Sequence, residues 1–241
     1  MIFILLPAYN ESKNIKIIFK KIKKYFRNKS KLKVILVDDC SIDNTKDLIK
    51  KDHGFKIIYL KHKTNMGLSI TMESGLKKIK KIAKKNDYVI TLDSDNTHPI
   101  SLMPKMIKKL NEGNDIVIAS RFVQGSKVNG LVYWRSLMSI WAKYIFKIMY
   151  PFKNLNDYTC NYRAYKFDCL SKIFKNKKFF KNEDFNIAAK ILLFLIKNKK
   201  NLKLVELPFT LSYDYKIGQS KMNILKTIFL TLRLIFLKKF S

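Results

Sequence analysis

The chain has 241 residues and 47% of them are hydrophobic, which is enough apolar material for one sizeable folded domain and excludes wholesale disorder. The formal net charge is +31, with 49 basic against 18 acidic residues, yet only five of the basic residues are arginine. Nucleic-acid readers rely on arginine for bidentate contacts, so this lysine-dominated charge indicates a solvated surface or an attraction to other anions, and no nucleic-acid partner is expected.

The first half of the chain alternates apolar runs with amphipathic segments. Runs typical of buried strands are MIFILLPAYNE (ended by Pro7), KVILVDD, FKIIYLK, DYVITLDSD and DIVIASRF. Helices are predicted between them at residues 12–27, SIDNTKDLIKK, NMGLSITMESGLKKIKKIAKK and PISLMPKMIKKL. Strands that are apolar throughout and alternate with helices predict a mostly parallel, Rossmann-like α/β sheet flanked by helices.

After Gly130 the alternation is less regular. We predict a helix at LVYWRSLMSIWAKYIFKIMY, a polar turn at DYTCNYRAYK, a helix at NEDFNIAAKILLFLIKN and strand structure at LKLVELPFTLSY. The final run, NILKTIFLTLRLIFLKKF, is amphipathic, and no segment has the roughly 20 uninterrupted apolar residues that a bilayer crossing needs. We therefore expect one domain over residues 1–221 and, over 222–241, a helix that packs on the core or lies at a membrane interface.

Polar clusters follow three of the predicted strands, at residues 7–11, at Asp38-Asp39 and at residues 93–95. The carboxyl ends of parallel strands meet at one edge of the sheet, where ligands bind. Asp93 and Asp95 are one residue apart, so their carboxylates point the same way and suit a magnesium or manganese ion (Mg2+ or Mn2+) that also contacts a substrate phosphate. A D-x-D pair alone also fits a solvated turn at the end of a strand.

Four of these segments, taken together and in order, resemble glycosyltransferase family 2: LLPAYNE, VDDCSIDNT, NMGLSITMESGL and LDSDNTHP. The resemblance covers most of the chain and implies the GT-A nucleotide-sugar fold. It implies that a nucleotide diphosphate sugar is bound by Pro7, Tyr9, Glu11, Val37, Asp39, Asp93, Ser94 and Asp95. It further implies a metal ion on Asp93 and Asp95, with Thr97 assisting.

The second half is similar to the polyprenyl-phosphate branch of that family, the dolichol-phosphate mannosyltransferases and their bacterial relatives. The segments concerned are SRFVQG, WRSLMS, DYTCNYRAY and ELPFTLSYDYKIGQSK. The resemblance implies an inverting transfer of a hexose, mannose or glucose, to a polyprenyl phosphate. Asp95, Arg121 and Arg135 would be catalytic; Arg121 and Arg135, with Ser139, would hold the acceptor phosphate.

Some positions in this half depart from the usual pattern. Lys221 keeps its place and would contact the donor diphosphate, but Tyr215 stands where arginine is common. Cys160-Asn161 replaces the usual Ser-Gly, which changes the shape of the acceptor pocket.

A lipid acceptor implies peripheral contact with a membrane and leaves room for a membrane-embedded partner subunit. The two tryptophans of WRSLMSIWAKYIFKIMY suit a bilayer interface, and its lysines suit anionic lipid. Three scattered cysteines without metal spacing indicate reduced thiols. The expected location is therefore cytoplasmic, at the cytoplasmic face of a membrane.

Three other functions remain open. A family 2 enzyme that glycosylates a sugar hydroxyl of a cell-surface glycan would need a carboxylate base, for which Glu183 or Asp184 is the candidate; these acids equally suit a helix N-terminus. DSDNT also satisfies the D-x-D-x-T pattern of aspartyl-nucleophile phosphatases, but it lies on the fourth strand and not the first. A basic nucleic-acid-binding protein is supported by charge alone.

Overall fold

The computed structural model describes residues 1–26, 28–176, 179–180 and 187–215, apart from the side chains of Lys29 and Tyr215. Its strands are β1 (Ile2–Ala8), β2 (Leu32–Asp38), β3 (Lys56–Lys61), β4 (Tyr88–Thr91), β5 (Ile116–Ser120), β6 (Lys127–Asn129), β7 (Arg163–Lys166), β8 (Leu204–Pro208) and β9 (Thr210–Ser212). Its α-helices are α1 (Ser12–Tyr25), α2 (Leu68–Ile82), α3 (Met103–Asn111), α4 (Tyr133–Met149), α5 (Phe167–Leu170) and α6 (Ile187–Asn198). Short 3-10 helices cover Lys29–Lys31, Asn44–Lys50, Ile100–Leu102, Ser171–Lys175 and Tyr213–Tyr215.

The main sheet has seven strands in the order β3-β2-β1-β4-β7-β5-β8. Every neighbouring pair is parallel except those of β7, which runs antiparallel to both β4 and β5. Strands β6 and β9 form a separate parallel pair. The predicted α/β class, a mostly parallel sheet flanked by helices, is confirmed.

The core has two layers, one on each face of the sheet, because successive residues of a strand point to opposite faces. Phe3 and Leu5 of β1 pack in the layer that contains α2 and α6. Ile4 and Leu6 pack in the layer that contains α1 and α3. The helices present apolar residues to these layers at helical spacing, as Ile15, Ile18 and Ile22 of α1 show.

Helix α2 lies very close to the sheet at Gly75. A Cβ added to Gly75 would lie 2.1 Å from a methyl carbon of Leu5 and 3.1 Å from one of Val37. The absent side chain therefore lets the helix backbone pack against β1 and β2 directly below the carboxyl edge of the sheet.

Two local predictions were wrong. DYTCNYRAYK, predicted as a turn, contains strand β7, whose buried Arg163 donates to the carbonyl oxygens of Tyr158 (2.7 Å) and Ala188 (2.5 Å). Because this charged side chain is buried in the core against backbone carbonyls, the segment lacks the apolar pattern that predicts a strand. The segment after β2, predicted as an α-helix, forms the 3-10 helix Asn44–Lys50 behind an Asp43 cap.

No helix in the described part of the chain combines enough length and apolar character to span a bilayer. The terminal helix predicted over residues 222–241 lies outside the described residues, as do Lys221, Glu183 and Asp184.

Candidate active site

A cleft opens at the carboxyl edge of the sheet, where β1 and β4 end side by side. Its lining comes from the end of β1, the turns after β1 and β4 and the first residue of α2: Pro7, Tyr9, Glu11, Leu68, Asp93, Ser94 and Asp95. The polar clusters after the first and fourth predicted strands therefore do share one site.

The loops that follow β1 and β2 are tied together. The backbone amide of Asn10 donates to Ser41 Oγ (2.9 Å), and the amide of Ile42 donates to Asn10 Oδ1 (2.8 Å). The amide of Ser12 donates to the Asp43 carboxylate (2.8 Å). Asn10 and Cys40 both adopt left-handed backbone angles, with φ of 54° and 66°. Because the bonds run both ways between the loops, this wall of the cleft is fixed by the protein itself.

Asp39 connects the second loop to the start of α2. Its buried carboxylate accepts hydrogen bonds from the backbone amides of Met66 and Gly67, both at 2.8 Å, and lies 2.7 Å from His62 Nδ1. Gly67, at φ 83°, makes the turn into α2. Asp39 thus holds the start of α2, whose first residue, Leu68, lines the cleft.

The D-x-D turn is held from three sides. Ser94 Oγ donates to the Pro7 carbonyl (2.6 Å), which attaches the turn to β1. Thr97 Oγ1 donates to Asp95 Oδ1 (2.7 Å), and Asn161 Nδ2 donates to Asp93 Oδ1 (3.0 Å). Ser94 is buried while Asp93 and Asp95 are half-buried and line the cleft. Both aspartates therefore line the same cleft, although β4 ends at Thr91 and they lie in the turn after the strand and not within it as expected.

Two carboxylates with nearby oxygen groups suit a magnesium or manganese ion, which prefers oxygen ligands. Within the described residues, no group of three or more His, Cys, Asp or Glu side chains could hold a metal ion. A cation bound here would therefore need further oxygens from a substrate, and a diphosphate supplies them.

A second polar centre lies beyond β5. Arg121 donates through Nε (2.8 Å) and Nη2 (2.7 Å) to the two carboxylate oxygens of Asp157, and through Nη2 to Thr159 Oγ1 (2.6 Å). Burial opposes the charge on both partners, but their attraction and hydrogen bonds outweigh it. The pKa of Arg121 is consequently raised and the pKa of Asp157 is lowered.

Helix α4 carries the other residues predicted for the acceptor. Arg135 lies in its first turn and Ser139 four residues later, so both are on one face of the helix. Arg135 stacks over Trp134 at 5.3 Å, and its buried Nε meets no hydrogen-bond partner among the described residues. Lys143 of α4 and Arg121 both contact the ring of Phe122, at 5.1 and 5.2 Å, which places the helix beside Arg121.

The predicted site residues thus fall into separate groups. The cleft contains Pro7, Tyr9, Glu11, Asp93, Ser94 and Asp95, while Asp39 and Thr97 hold its walls. Val37 has its side chain in the core beneath α2, so only its backbone is available to a ligand. Arg121 and the α4 residues Arg135 and Ser139 lie outside the lining of the cleft.

Sequence reasoning missed three residues here. Leu68 lines the cleft, Asp157 neutralises Arg121, and Asn161 binds Asp93. In the sequence, these residues stood out only because they lie in segments that resemble the family, NMGLSITMESGL and DYTCNYRAY. Their contacts depend on how β7 and α2 sit in the fold, which no local pattern reveals.

Solved structures with the same architecture identify the fold. Glucosyl-3-phosphoglycerate synthase from Mycobacterium tuberculosis, in complex with Mg2+ and uridine diphosphate, superposes with a TM-score of 0.65 at 15% identity, over 98% of this chain and 76% of that one. Staphylococcus aureus TarS, in complex with UDP-GlcNAc, gives a TM-score of 0.64 at 18% identity, over 97% of this chain and 65% of the TarS chain. At these identities the likeness shows the fold alone, which is GT-A.

Sequence relatives point the same way. A dolichol-phosphate mannosyltransferase of Pyrococcus furiosus is 28% identical over 235 residues, which is 97% of this chain and 62% of that relative. The putative glycosyltransferase CsbB of Bacillus subtilis is 31% identical over 61% of this chain and 43% of its own length. The chain thus spans less than two thirds of the length of either relative. The model of glycosyl transferase family 2 matches residues 3–174. That match covers most of the 241-residue chain, and the chain has the GT-A fold. This chain therefore belongs to glycosyltransferase family 2.

Proposed function

We propose that this family 2 glycosyltransferase moves a hexose, mannose or glucose, from a nucleotide diphosphate sugar to a polyprenyl phosphate, with inversion at the anomeric carbon. The observation that carries the proposal is the cleft in which Asp93 and Asp95 face Tyr9 and Glu11. The resemblance to dolichol-phosphate mannosyltransferases, one of which is 28% identical, supports the lipid phosphate as acceptor.

The donor nucleotide binds in this cleft. Tyr9 and Glu11 contact the nucleoside, and Asp39 and the backbone of Val37 complete its cradle. The first turn of α2 begins at Leu68 on the cleft wall, so its partial positive charge favours the diphosphate. Lys221, which lies outside the described residues, adds a cation to the diphosphate.

Asp93 and Asp95 hold the metal, a magnesium or manganese ion, and Thr97 fixes Asp95 through its hydroxyl. When bound, such an ion supplies charge neutralisation to the departing diphosphate. The diphosphate would supply further oxygen ligands to an ion on these two carboxylates, so nucleotide and metal would bind together.

The acceptor phosphate is already ionised near neutral pH, so it needs positioning and no general base. Arg135 offers an Nε–H that has no partner among the described residues, and Ser139 lies one turn further along α4. Arg121, which shares the ring of Phe122 with Lys143 of α4, adds positive charge. A phosphate oxygen attacks the anomeric carbon from the face opposite the diphosphate. The bond from that carbon to the diphosphate oxygen breaks, and the diphosphate leaves with the electron pair.

Helix α4 also gives the protein a surface for the membrane that contains such an acceptor. Phe146 is the only residue of α4 that is fully buried within the described part of the chain. Trp141 is 68% exposed and Ile148 is 77% exposed, while Lys143 and Lys147 lie on the same helix. Peripheral contact with an anionic bilayer at its cytoplasmic face fits this combination, and the free thiols of Cys40, Cys160 and Cys169 fit a reducing compartment.

A transfer assay tests the proposal. The protein is incubated with GDP-mannose, UDP-glucose or UDP-GlcNAc, with Mg2+ or Mn2+, and with either a polyprenyl phosphate or a free oligosaccharide. We expect a hexosyl phosphopolyprenol from one of the donors. Transfer to the oligosaccharide alone would refute the lipid acceptor and favour a sugar hydroxyl.

Replacing Asp95 with alanine tests the metal role. We expect Asp95→Ala to lower transfer at least ~100-fold, because one of the two carboxylates for the cation is lost. Circular dichroism should be unchanged, since Asp95 is only half-buried. Asp47→Ala, at an exposed aspartate on the 3-10 helix after β2, is the control and should keep full activity. Full transfer by Asp95→Ala, or in excess chelator, would contradict the metal role.

A further inference from the structure

Asn161 lies directly opposite the first aspartate of the D-x-D turn. Strand β7 pairs antiparallel with β4, with Thr91 opposite Arg163. Continuing that register by two residues beyond the end of β4 brings Asp93 opposite Asn161. The side chains meet there, and Asn161 Nδ2 donates to Asp93 Oδ1 at 3.0 Å.

The side-chain oxygen of Asn161, Oδ1, has no hydrogen-bond partner among the described residues. This atom is also shielded from solvent. A buried amide oxygen without a donor costs free energy that folding alone does not recover. An orphan acceptor next to a half-buried carboxylate that lines the cleft therefore indicates a ligand group that donates to it.

The backbone of Asn161 is fixed independently of this side chain. Thr91 Oγ1 donates to the Asn161 carbonyl (2.6 Å), and the preceding turn is held by Asp157, whose Oδ1 accepts from the amide of Cys160 (3.0 Å). Two residues earlier, Thr159 accepts from Arg121. Asn161 thus stands on a fixed turn between the donor aspartates and the acceptor arginine.

We propose that Asn161 is a positioning residue of the donor site: Nδ2 orients Asp93 for the metal, and Oδ1 accepts an O–H group of the bound donor complex. The O–H belongs either to a metal-bound water or to a hydroxyl of the transferred sugar. The inference rests on the proposed function, because it needs a metal-bound nucleotide in the cleft. The usual motif has glycine here, so this chain gains a contact that glycine does not supply.

Calorimetric binding of GDP, UDP, GDP-mannose and UDP-glucose tests this role, each measured with Mn2+ and with EDTA. Asn161→Ala should weaken binding of the Mn2+–nucleotide about 10-fold, as expected when a residue that orients a metal ligand is lost. Binding in EDTA should stay as in the unaltered protein. Asn161→Gly repeats the test with the residue that is usual at this position, in case the alanine variant does not fold.

Asn111→Ala is the matched control. Asn111 accepts one hydrogen bond (2.6 Å) from Tyr88, the first residue of β4, so it makes a similar contact at the opposite end of the same strand. This variant should bind every nucleotide as the unaltered protein does.

The two sources of the O–H group give different patterns. A larger loss for the nucleotide sugar than for its nucleoside diphosphate assigns Oδ1 to a sugar hydroxyl, and an equal loss excludes that hydroxyl as its partner. Unchanged binding in Asn161→Ala, or an equal loss in EDTA, overturns the positioning role and leaves the proposed function standing. Absence of Mn2+-dependent nucleotide binding in the unaltered protein overturns both.

Discussion

The guanidinium of Arg121 donates two hydrogen bonds to Asp157, so the cation that we propose for the acceptor phosphate already has a buried counter-ion. An incoming phosphate would share Arg121 with that carboxylate and would find the open donor on Arg135. Glu206 in turn accepts from the amides of Asn156 (3.0 Å) and Asp157 (2.6 Å). The acids Asp157 and Glu206 thus hold Arg121 and the turn beside it in place.

The Arg121–Asp157 pair should contribute to stability. Removing one partner of a buried pair leaves an uncompensated charge, so Asp157→Asn should lower the free energy of unfolding by about 3 to 5 kcal/mol at pH 7. Asp157 has a pKa below its ordinary value in the folded protein. Its contribution is therefore complete above the ordinary carboxyl pKa, about 4, and is lost as pH falls through the lower folded value.

Urea unfolding at pH 7 and pH 3 checks this expectation. The difference in the free energy of unfolding between the unaltered protein and Asp157→Asn should be smaller at pH 3 than at pH 7. The exposed Asp47→Asn serves as the control and should change unfolding little at pH 7. A difference of the same size at both pH values would contradict the assigned pKa shift.

Some residue roles could be predicted from sequence because they depend on local position. Acids at the ends of apolar strands had to meet at one edge of a parallel sheet, and Asp93 and Asp95 do. The contacts of Asn161 and Asp157 could not be predicted in this way. They join residues 68 and 36 positions apart, across a strand that the sequence did not reveal.

Helix α4 has a different environment at its carboxyl-terminal half, at its first turn and on its outer face. Phe146 stacks on Tyr158 at 5.3 Å, and Tyr158 Oη donates to the Tyr150 carbonyl (2.7 Å), which anchors the carboxyl-terminal half of α4. The first turn carries Arg135, and the outer face carries exposed aromatic and aliphatic residues. One helix therefore presents both the arginine that we propose for the acceptor and an exposed apolar surface.

Arg135→Ala should impair use of the acceptor more than binding of the donor. A hydrogen bond to a charged group is worth about 1.5 to 3 kcal/mol, so KM for the polyprenyl phosphate should rise roughly 10- to 100-fold. Calorimetric Kd for the nucleotide should be unchanged. Lys20→Ala, at an exposed lysine of α1, is the control. Equal losses in acceptor use and nucleotide binding would count against this role.

Vesicle flotation tests the apolar face of the same helix. The protein should float with vesicles that contain anionic phosphatidylglycerol, and Trp141→Ser with Ile148→Ser should reduce the bound fraction severalfold, because exposed apolar area is lost. Ile42→Ser is the control, since Ile42 is 92% exposed in the loop after β2. Flotation that the double variant leaves intact would show that α4 is not the membrane contact.

At the scale of the whole molecule, β7 determines how the two halves of the site are arranged. It lies between β4, which is followed by the turn with Asp93 and Asp95, and β5, which is followed by Arg121. The turn over residues 157–161 therefore contacts both centres, through Asn161 on one side and Asp157 on the other. A wholly parallel sheet would put β4 and β5 side by side and leave no room for this turn.

The overall architecture could be predicted because each strand of the first half is apolar throughout and is followed by a helix with one apolar face. The second half was harder, because β7 is short and includes a buried arginine. The parallel strands could thus be predicted from the pattern of apolar residues along the chain. The antiparallel strand β7 could not, because its place in the sheet depends on hydrogen bonds that Arg163 makes to the backbone carbonyls of Tyr158 and Ala188.

The metal site itself can be observed by anomalous X-ray diffraction at the manganese edge, from crystals grown with Mn2+ and either GDP or UDP. We predict one strong peak in contact with the carboxylates of Asp93 and Asp95 and with the nucleotide diphosphate. A nucleotide bound in the cleft without manganese at those two residues, or manganese bound elsewhere, would contradict the proposed chemistry.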